Sequence, residues 1–110
     1  MSYNVIAVPH FKRDLKKLAK KFPSVKTDLA RLTETLQKNP LQGTSLGNNC
    51  YKIRMAVTSK GKGKSGGTRV ITYLQADPMT IYLLSIYDKG DKENISDKEL
   101  KNLLNLIQEQ

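Results

Sequence analysis

The sequence predicts an α+β fold with the element order β-α-α-β-β-β-α, in which helices pack mainly against one face of an antiparallel sheet. Two observations lead to this prediction. Apolar residues recur at helical spacing in two segments near the N-terminus and in one at the C-terminus. Between them lie three segments rich in β-branched and aromatic residues. At 110 residues, with no internal repeat or linker, the chain is expected to form one domain over residues 1–110.

The first predicted elements are a strand and two helices. Residues 3–8 (YNVIAV) have strand composition, and Pro9 suits the first turn of a helix because its φ is already helical. Ser24 follows a break at Pro23 and is the expected N-cap of the second helix, which should stop before Asn39-Pro40. The apolar stripes of the two helices consist of Phe11, Leu15, Leu18 and Phe22, and of Val25, Leu29, Leu32 and Leu36.

Three strands are expected after a polar connector at residues 41–49. Residues 50–58 alternate between apolar and basic or small side chains, as in a strand with one covered face. Residues 68–76 form the next strand, and the nearly continuous apolar run at 80–87 (TIYLLSIY) indicates a central strand covered on both faces.

The last predicted element is a C-terminal helix. Ser96 and Glu99 have the spacing of a capping box, in which each residue satisfies a free backbone N–H of the first turn. The helical stripe that follows consists of Leu100, Leu103, Leu104 and Ile107.

The positive charge of the chain is concentrated in its middle. The net charge is +9, and no acidic residue occurs between Glu34 and Asp77. Crowded like charges destabilise a compact state, so a segment without acids favours a polyanionic partner. The alternative is solvated charge that protects a strand edge from aggregation. The basic residues of the segment are Lys38, Lys52, Arg54, Lys60, Lys62, Lys64 and Arg69.

A phosphate-binding face is the expected result of this charge. Lys52 and Arg54 are two residues apart, so they should project from the open face of one strand at a separation of about 7 Å, comparable to the spacing of adjacent phosphates. Arg69 should lie beside them, and Lys89 follows the third strand. Among the remaining candidates, Tyr73 and Tyr87 could stack on bases or donate a proton, and the Lys60, Lys62 and Lys64 loop could attract RNA or DNA.

Several other chemistries are not supported by the sequence. With Cys50 as the single cysteine, no intramolecular disulfide or zinc site of cysteine pairs is possible, which fits a reducing cytoplasm. His10 is expected at the surface, and GKGKSGG lacks the order and position of a P-loop. No metal site, cofactor, signal peptide or membrane partner is expected.

The segments CYKIR (50–54), GGTRVITY (66–73) and IYLLSIYDKGDKENIS (81–96), together with the predicted layout, resemble the RelE/HigB toxins of bacterial type II toxin–antitoxin systems. The lysine-glycine loop is similar to that of the HigB-like branch. The resemblance implies an mRNA interferase, a metal-independent endoribonuclease that cleaves mRNA on the ribosome and so inhibits translation. In such enzymes the ribose 2′-hydroxyl attacks the adjacent phosphate, giving a 2′,3′-cyclic phosphate and a 5′-hydroxyl.

The resemblance also implies roles for individual residues. Arg69 and Lys89 would stabilise the charge that develops on phosphorus, while Lys52 and Arg54 would hold the backbone and manage the proton of the 2′-hydroxyl. Relatives often carry a Tyr or His near the C-terminus, whereas here the last such residue is Tyr87. The implied catalytic set is Lys52, Arg54, Arg69, Lys89 and Tyr87, and the implied RNA-binding set is Lys60, Lys62, Lys64, Tyr73 and Lys92.

A toxin of this kind implies a cognate antitoxin as partner, besides mRNA and the ribosome. Two other functions stay open from the sequence. One is a ParE-like toxin that inhibits DNA gyrase on the same fold, which the retained basic residues disfavour. The other is a nucleic-acid-binding module without catalysis.

Overall fold

The computed structural model describes residues 3–61, 63, 66–92 and 94–108, and it confirms the α+β fold class. No helix in this described part is both long enough and apolar enough to cross a membrane. The elements in chain order are β1 (Asn4–Ala7), α1 (Pro9–Lys21), α2 (Val25–Lys38), β2 (Thr44–Gly47), β3 (Cys50–Met55), a 3₁₀ turn (Thr58–Lys60), β4 (Thr68–Gln75), β5 (Thr80–Asp88) and α3 (Asp97–Gln108).

The strand β2 lies where the sequence predicts only a connector. It has four mostly exposed residues and pairs antiparallel with β3. Asn48 and Asn49 join the two strands in a two-residue turn with φ of 53° and 62°, the left-handed geometry of a type I′ hairpin. A strand this short and polar has no alternation of apolar residues, which is why periodicity missed it.

The sheet has the order β1-β5-β4-β3-β2. The prediction of an antiparallel sheet is wrong for one pair, because β1 runs parallel to β5 while every other neighbouring pair is antiparallel. No local pattern indicates this pair, since its strands are far apart in the chain and no turn links them. β5 lies between β1 and β4 and is buried along most of its length, as its apolar composition predicts.

The helices cover both faces of the sheet rather than mainly one. α3 packs through buried Leu100 and Leu103, and its Leu104 borders a cavity together with Tyr73 of β4. Tyr73 lies on the face opposite Val70, because successive residues of a strand point to opposite faces. The helices α1 and α2 cover the face that carries Val70, and their buried residues include Phe11 and Leu36.

Two helix starts were predicted from their capping residues. The Ser96 half of the capping box of α3 is confirmed, since the Glu99 N–H donates to Ser96 Oγ at 3.1 Å. The Glu99 carboxylate accepts from the Ser96 hydroxyl at 3.3 Å, in place of the backbone N–H. Ser24 does occupy the N-cap position of α2, but its hydroxyl donates to Asp28 Oδ2 at 2.8 Å instead of capping a backbone N–H.

Candidate functional site

The register of β3, β4 and β5 brings four of the five predicted catalytic residues onto one face of the sheet. Arg54 is directly opposite Arg69, and Arg69 is directly opposite Tyr87. Directly opposed residues of antiparallel strands point the same way, with Cβ atoms about 5 Å apart. Lys52 lies on the same face, opposite Ile71 and two residues from Arg54. We call the surface formed by Lys52, Arg54, Arg69 and Tyr87 the cationic face.

The members of the cationic face differ in exposure. Arg54 is exposed and Lys52 is half-buried, as expected for residues that meet a ligand. The expectation that Arg69 lies on an open face is wrong: it is only 1% exposed, and Arg54 and Tyr87 lie in register on either side of it. Its Nη1 donates to the carbonyl of Thr68 at 3.2 Å. Since a guanidinium stays ionised in proteins, Arg69 places a fixed positive charge beneath this surface.

Tyr87 is covered rather than open to a base. Its side chain is 7% exposed, and Lys92 Nζ lies 4.8 Å from the centre of its ring. The same ammonium group forms an ion pair with Glu99 at 2.8 Å, and this hydrogen bond lowers the pKa of the Glu99 carboxyl against the opposing effect of burial. Lys92 was predicted to bind RNA, but its charge is already shared between an aromatic ring and a carboxylate. Its position therefore favours holding the loop over Tyr87.

The segment between β5 and α3 lies against the cationic face. Asn94 Oδ1 accepts a hydrogen bond from Lys52 Nζ at 2.7 Å, so the loop contacts one predicted catalytic residue directly. Lys89 is exposed, and its backbone N–H donates to the Gly67 carbonyl at 3.2 Å. Because Gly67 precedes β4, this bond holds Lys89 near the end of the sheet where Arg69 lies. Nothing in the sequence pointed to Asn94, since it meets Lys52 across 42 positions of chain.

Lys60 was predicted to gather RNA on a flexible loop, and the structure places it elsewhere. Its Nζ forms an ion pair with Asp88 at 2.6 Å and lies 5.0 Å from the centre of the Phe22 ring at the end of α1. Asp88 follows Tyr87 and so points to the opposite face of the sheet. Lys60 is therefore on the α1 side, away from the cationic face. Lys62 and Lys64 lie outside the described residues.

The pKa of Asp88 reflects this pairing. Burial alone would raise it, but the hydrogen bonds from Lys60 and from the Gly90 N–H, with the nearby positive charge, outweigh burial and lower it. The carboxylate therefore stays ionised, and Lys60 keeps its partner at neutral pH.

Asp28 is a structural residue that sequence reasoning missed. Its carboxylate accepts hydrogen bonds from the Thr58 N–H at 2.9 Å, from the Thr58 hydroxyl at 2.7 Å and from Ser24. Burial raises its pKa, and these hydrogen bonds outweigh that effect and lower it. Asp28 thereby joins α2 to the 3₁₀ turn that carries Lys60. A single acidic residue in an amphipathic helix gives no signal for such a contact.

Tyr73 lies on the same face of the sheet as Arg69 but four residues along β4, a distance of about 13 Å. Its ring stacks with Tyr82, with centroids 6.1 Å apart. It also borders the cavity between β4 and α3. Tyr73 is thus too far from Arg69 to share a reacting phosphate, although a bound strand could reach both.

The arrangement is suited to a phosphodiester. Arg54 offers an exposed guanidinium, which can donate two parallel hydrogen bonds to phosphate oxygens. Among the described residues, the Arg54 side chain has no hydrogen bond or ion pair. Lys52 has three donors, of which Asn94 takes one. Arg69 lies beneath the cationic face, and Lys89 lies at the end of the sheet. A phosphodiester bound at this face would therefore have positive charge on several sides.

Comparison with known proteins gives a consistent result. A family model described as the RelE toxin of the RelE/RelB toxin–antitoxin system matches residues 10–109. An arginine double mutant of Escherichia coli RelE in the free state superimposes with a TM-score of 0.60 at 19% identity, covering 84% of this chain and 90% of that one. The toxin–antitoxin complex RelBE2 of Mycobacterium tuberculosis gives a TM-score of 0.58 at 16% identity, covering 80% and 99%. The match over nearly the whole length shows that this chain belongs to the RelE toxin family of toxin–antitoxin systems.

Proposed function

We propose that this chain is a metal-independent endoribonuclease that cleaves mRNA and so inhibits translation. The observation that carries the proposal is the convergence of Lys52, Arg54 and Arg69 on one face of three neighbouring strands. Preorganised cations stabilise the charge of a phosphoryl transition state without having to reorganise during the reaction. A gyrase inhibitor would have no need of such a face.

The chemistry that these residues support needs no nucleophile from the protein. The 2′-oxygen of the ribose attacks the adjacent phosphorus, the bond to the 5′-oxygen breaks, and a 2′,3′-cyclic phosphate and a 5′-hydroxyl result. The 2′-hydroxyl loses its proton and the leaving oxygen gains one. In this proposal Arg54 donates hydrogen bonds to the non-bridging oxygens of the scissile phosphate. Arg69 and Lys89 stabilise the negative charge that the phosphate gains in the transition state. Lys52 would bind the phosphate backbone of the RNA or take part in transferring the proton of the 2′-hydroxyl.

We propose mRNA on the ribosome as the substrate, in the cytoplasm. A second group of cations supports a large polyanionic partner besides the mRNA itself. They lie on α1, and all of them are exposed: Lys12, Arg13, Lys16, Lys17, Lys20 and Lys21. This surface is on the other side of the sheet from the cationic face, so the two could contact different segments of nucleic acid at once.

A cognate antitoxin is the second partner that we propose. The M. tuberculosis relative was solved as a toxin–antitoxin complex. An acidic segment of an antitoxin could neutralise Arg54 and Lys52 directly, or it could act by moving α3 and the loop that contacts Lys52.

Induced expression with mapping of transcript 5′ ends tests the proposal. The wild-type chain should arrest growth and produce new 5′ ends, and coexpression of the antitoxin should suppress both. Arg54→Ala should lose cleavage while keeping its fold, because Arg54 is exposed. Lys38→Ala, which removes one exposed cation at the end of α2, should cleave normally. An SOS response without cleavage would indicate gyrase inhibition, and RNA binding without growth arrest would indicate a non-catalytic module.

A further inference from the structure

A cavity of about 520 Å³ lies between the β2–β3 turn, the end of β4 and α3. It is on the same face of the sheet as Arg54 and Lys52, because Tyr73 on its wall is in register with Cys50, two residues from Lys52. The catalytic roles proposed above make no use of it. Its volume exceeds that of a single nucleobase.

Carboxamide groups dominate the polar part of this cavity. Asn48, Asn49, Gln75 and Asn105 line it, and none of the lining residues is acidic. The Gln75 Nε2 donates to the Pro78 carbonyl at 3.2 Å, which leaves its side-chain oxygen available. Within the described part of the chain, the three asparagine side chains have no hydrogen-bond partner. Each carboxamide of the wall therefore offers one neutral donor group and one neutral acceptor group. Such pairs can form hydrogen bonds with the edge of an uncharged base.

The turn that carries Asn48 and Asn49 supports a role for their side chains. Both residues have positive φ, 53° and 62°. Glycine meets this requirement at the second turn position with the least strain, and Asn-Gly is the preferred pair there. Asn49 places a side-chain amide at the cavity, although its backbone conformation is one that favours glycine.

The remaining walls suit the other parts of a nucleotide. Tyr73, stacked on Tyr82, presents an aromatic side chain against which a base can pack. Lys101 adds to the lining a cation that can pair with a phosphate. The distance of about 13 Å from Arg69 to Tyr73 along β4 is one that an extended single strand spans in about two nucleotides.

We propose that this cavity binds a base of single-stranded RNA about two nucleotides from the scissile phosphate, and that its carboxamides set a base preference there. The inference rests on the proposed function, since it assumes an RNA substrate on the cationic face. The base would insert between Tyr73 and α3, and Asn49 and Asn105 would contact its edge.

Binding can be tested apart from cleavage. The full chain carrying Arg54→Ala, labelled with ¹⁵N, is titrated with each of the four nucleoside monophosphates and with ribose 5-phosphate. We expect the side-chain amide signals of Asn48, Asn49 and Asn105 to shift with one or two of the nucleotides more than with the others. Equal shifts with all four and with ribose 5-phosphate would mean phosphate binding alone, and no shift would mean no nucleotide site. Either result overturns the proposal.

The matched variants are Asn49→Gly, Asn105→Ala and Asn102→Ala. Asn49→Gly removes the amide but keeps the positive φ of the turn, so the fold should not suffer. Asn105→Ala and Asn102→Ala change exposed residues of the same helix, and only Asn105 borders the cavity. The first two variants should weaken binding of the preferred nucleotide about tenfold. Asn102→Ala should leave it unchanged, and an equal loss in all three would refute the assignment.

Cleavage mapping separates this inference from the proposed function. In the chain with Arg54 intact, Asn49→Gly combined with Asn105→Ala should still produce new 5′ ends, with a weakened base preference about two nucleotides away. Unchanged preference and unchanged nucleotide binding would overturn the cavity assignment while the nuclease stands. If the wild-type chain makes no cuts, the nuclease proposal fails, and a nucleotide-specific shift of the amides would still show the binding site.

Discussion

Replacing Lys60 with methionine tests whether this residue stabilises the fold, as its contacts indicate, or binds RNA, as the sequence predicts. Methionine keeps most of the aliphatic stem and removes the ammonium group. The change leaves Asp88 without its partner at 2.6 Å and removes the cation from the Phe22 ring. The Asp88 carboxylate is left with the Gly90 N–H.

The expected cost follows from the exposure of the pair. Exposed ion pairs contribute about 0–1 kcal/mol, and breaking a fully buried one costs about 3–5 kcal/mol. The two side chains are each 13% exposed, which places the pair between these limits. We expect Lys60→Met to lower the free energy of unfolding by about 2 kcal/mol, which corresponds to a Tm lower by about 8 °C for a domain of this size.

Urea unfolding of Lys60→Met, Asp88→Asn and the double variant gives the coupling energy directly, and we expect about 1–2 kcal/mol. The affinity for RNA and its salt dependence should not change in Lys60→Met. Lys89→Ala is the matched comparison, because Lys89 is exposed and should affect RNA binding but not stability. A Lys60→Met protein of unchanged stability, with a salt slope reduced by about one, would refute this reasoning.

Three further predictions follow from the described contacts. Because the pKa of Asp28 is lowered in the folded state, its contribution to stability is present above about pH 4 and is lost as the pH falls through its folded pKa. The free energy of unfolding in urea should therefore depend less on pH between about 3 and 5 for Asp28→Asn than for the wild type. Gly43→Ala should lower the Tm, because a Cβ there would lie 2.3 Å from the Lys52 carbonyl oxygen at a φ of +92°. The Cys50 thiol, buried and with its pKa raised to about 11, should resist alkylation at pH 8 until the chain is unfolded.

Much of the fold was predictable because its signals are local. Helical spacing and alternation located the helices and the main strands, and Ser96 caps the N–H of Glu99 as predicted. The strand β2 and the parallel pairing of β1 with β5 depend on contacts that local patterns do not encode.

The site was predictable only in part, for the same reason. Alternation placed Lys52 and Arg54 on one face, and the register with β4 then brought Arg69 beside them. Burial of Arg69 could not be predicted, because it depends on which side chains of β3 and β5 lie in register beside it. The ion pair of Lys60 could not be predicted, because its partner Asp88 is 28 positions away and a cluster of lysines in sequence does not show which carboxylates fold against it.

In the proposed mechanism, the cationic face promotes attack by the substrate's own 2′-hydroxyl. The most direct measurement compares two mRNAs on programmed ribosomes, one of them carrying a single 2′-deoxy nucleotide at the mapped cut site. We predict that the wild-type chain cuts the unmodified mRNA, leaving a 2′,3′-cyclic phosphate, and does not cut the deoxy substrate at that position. Equal cleavage of both substrates, or upstream fragments that end in a 3′-hydroxyl, would contradict this mechanism.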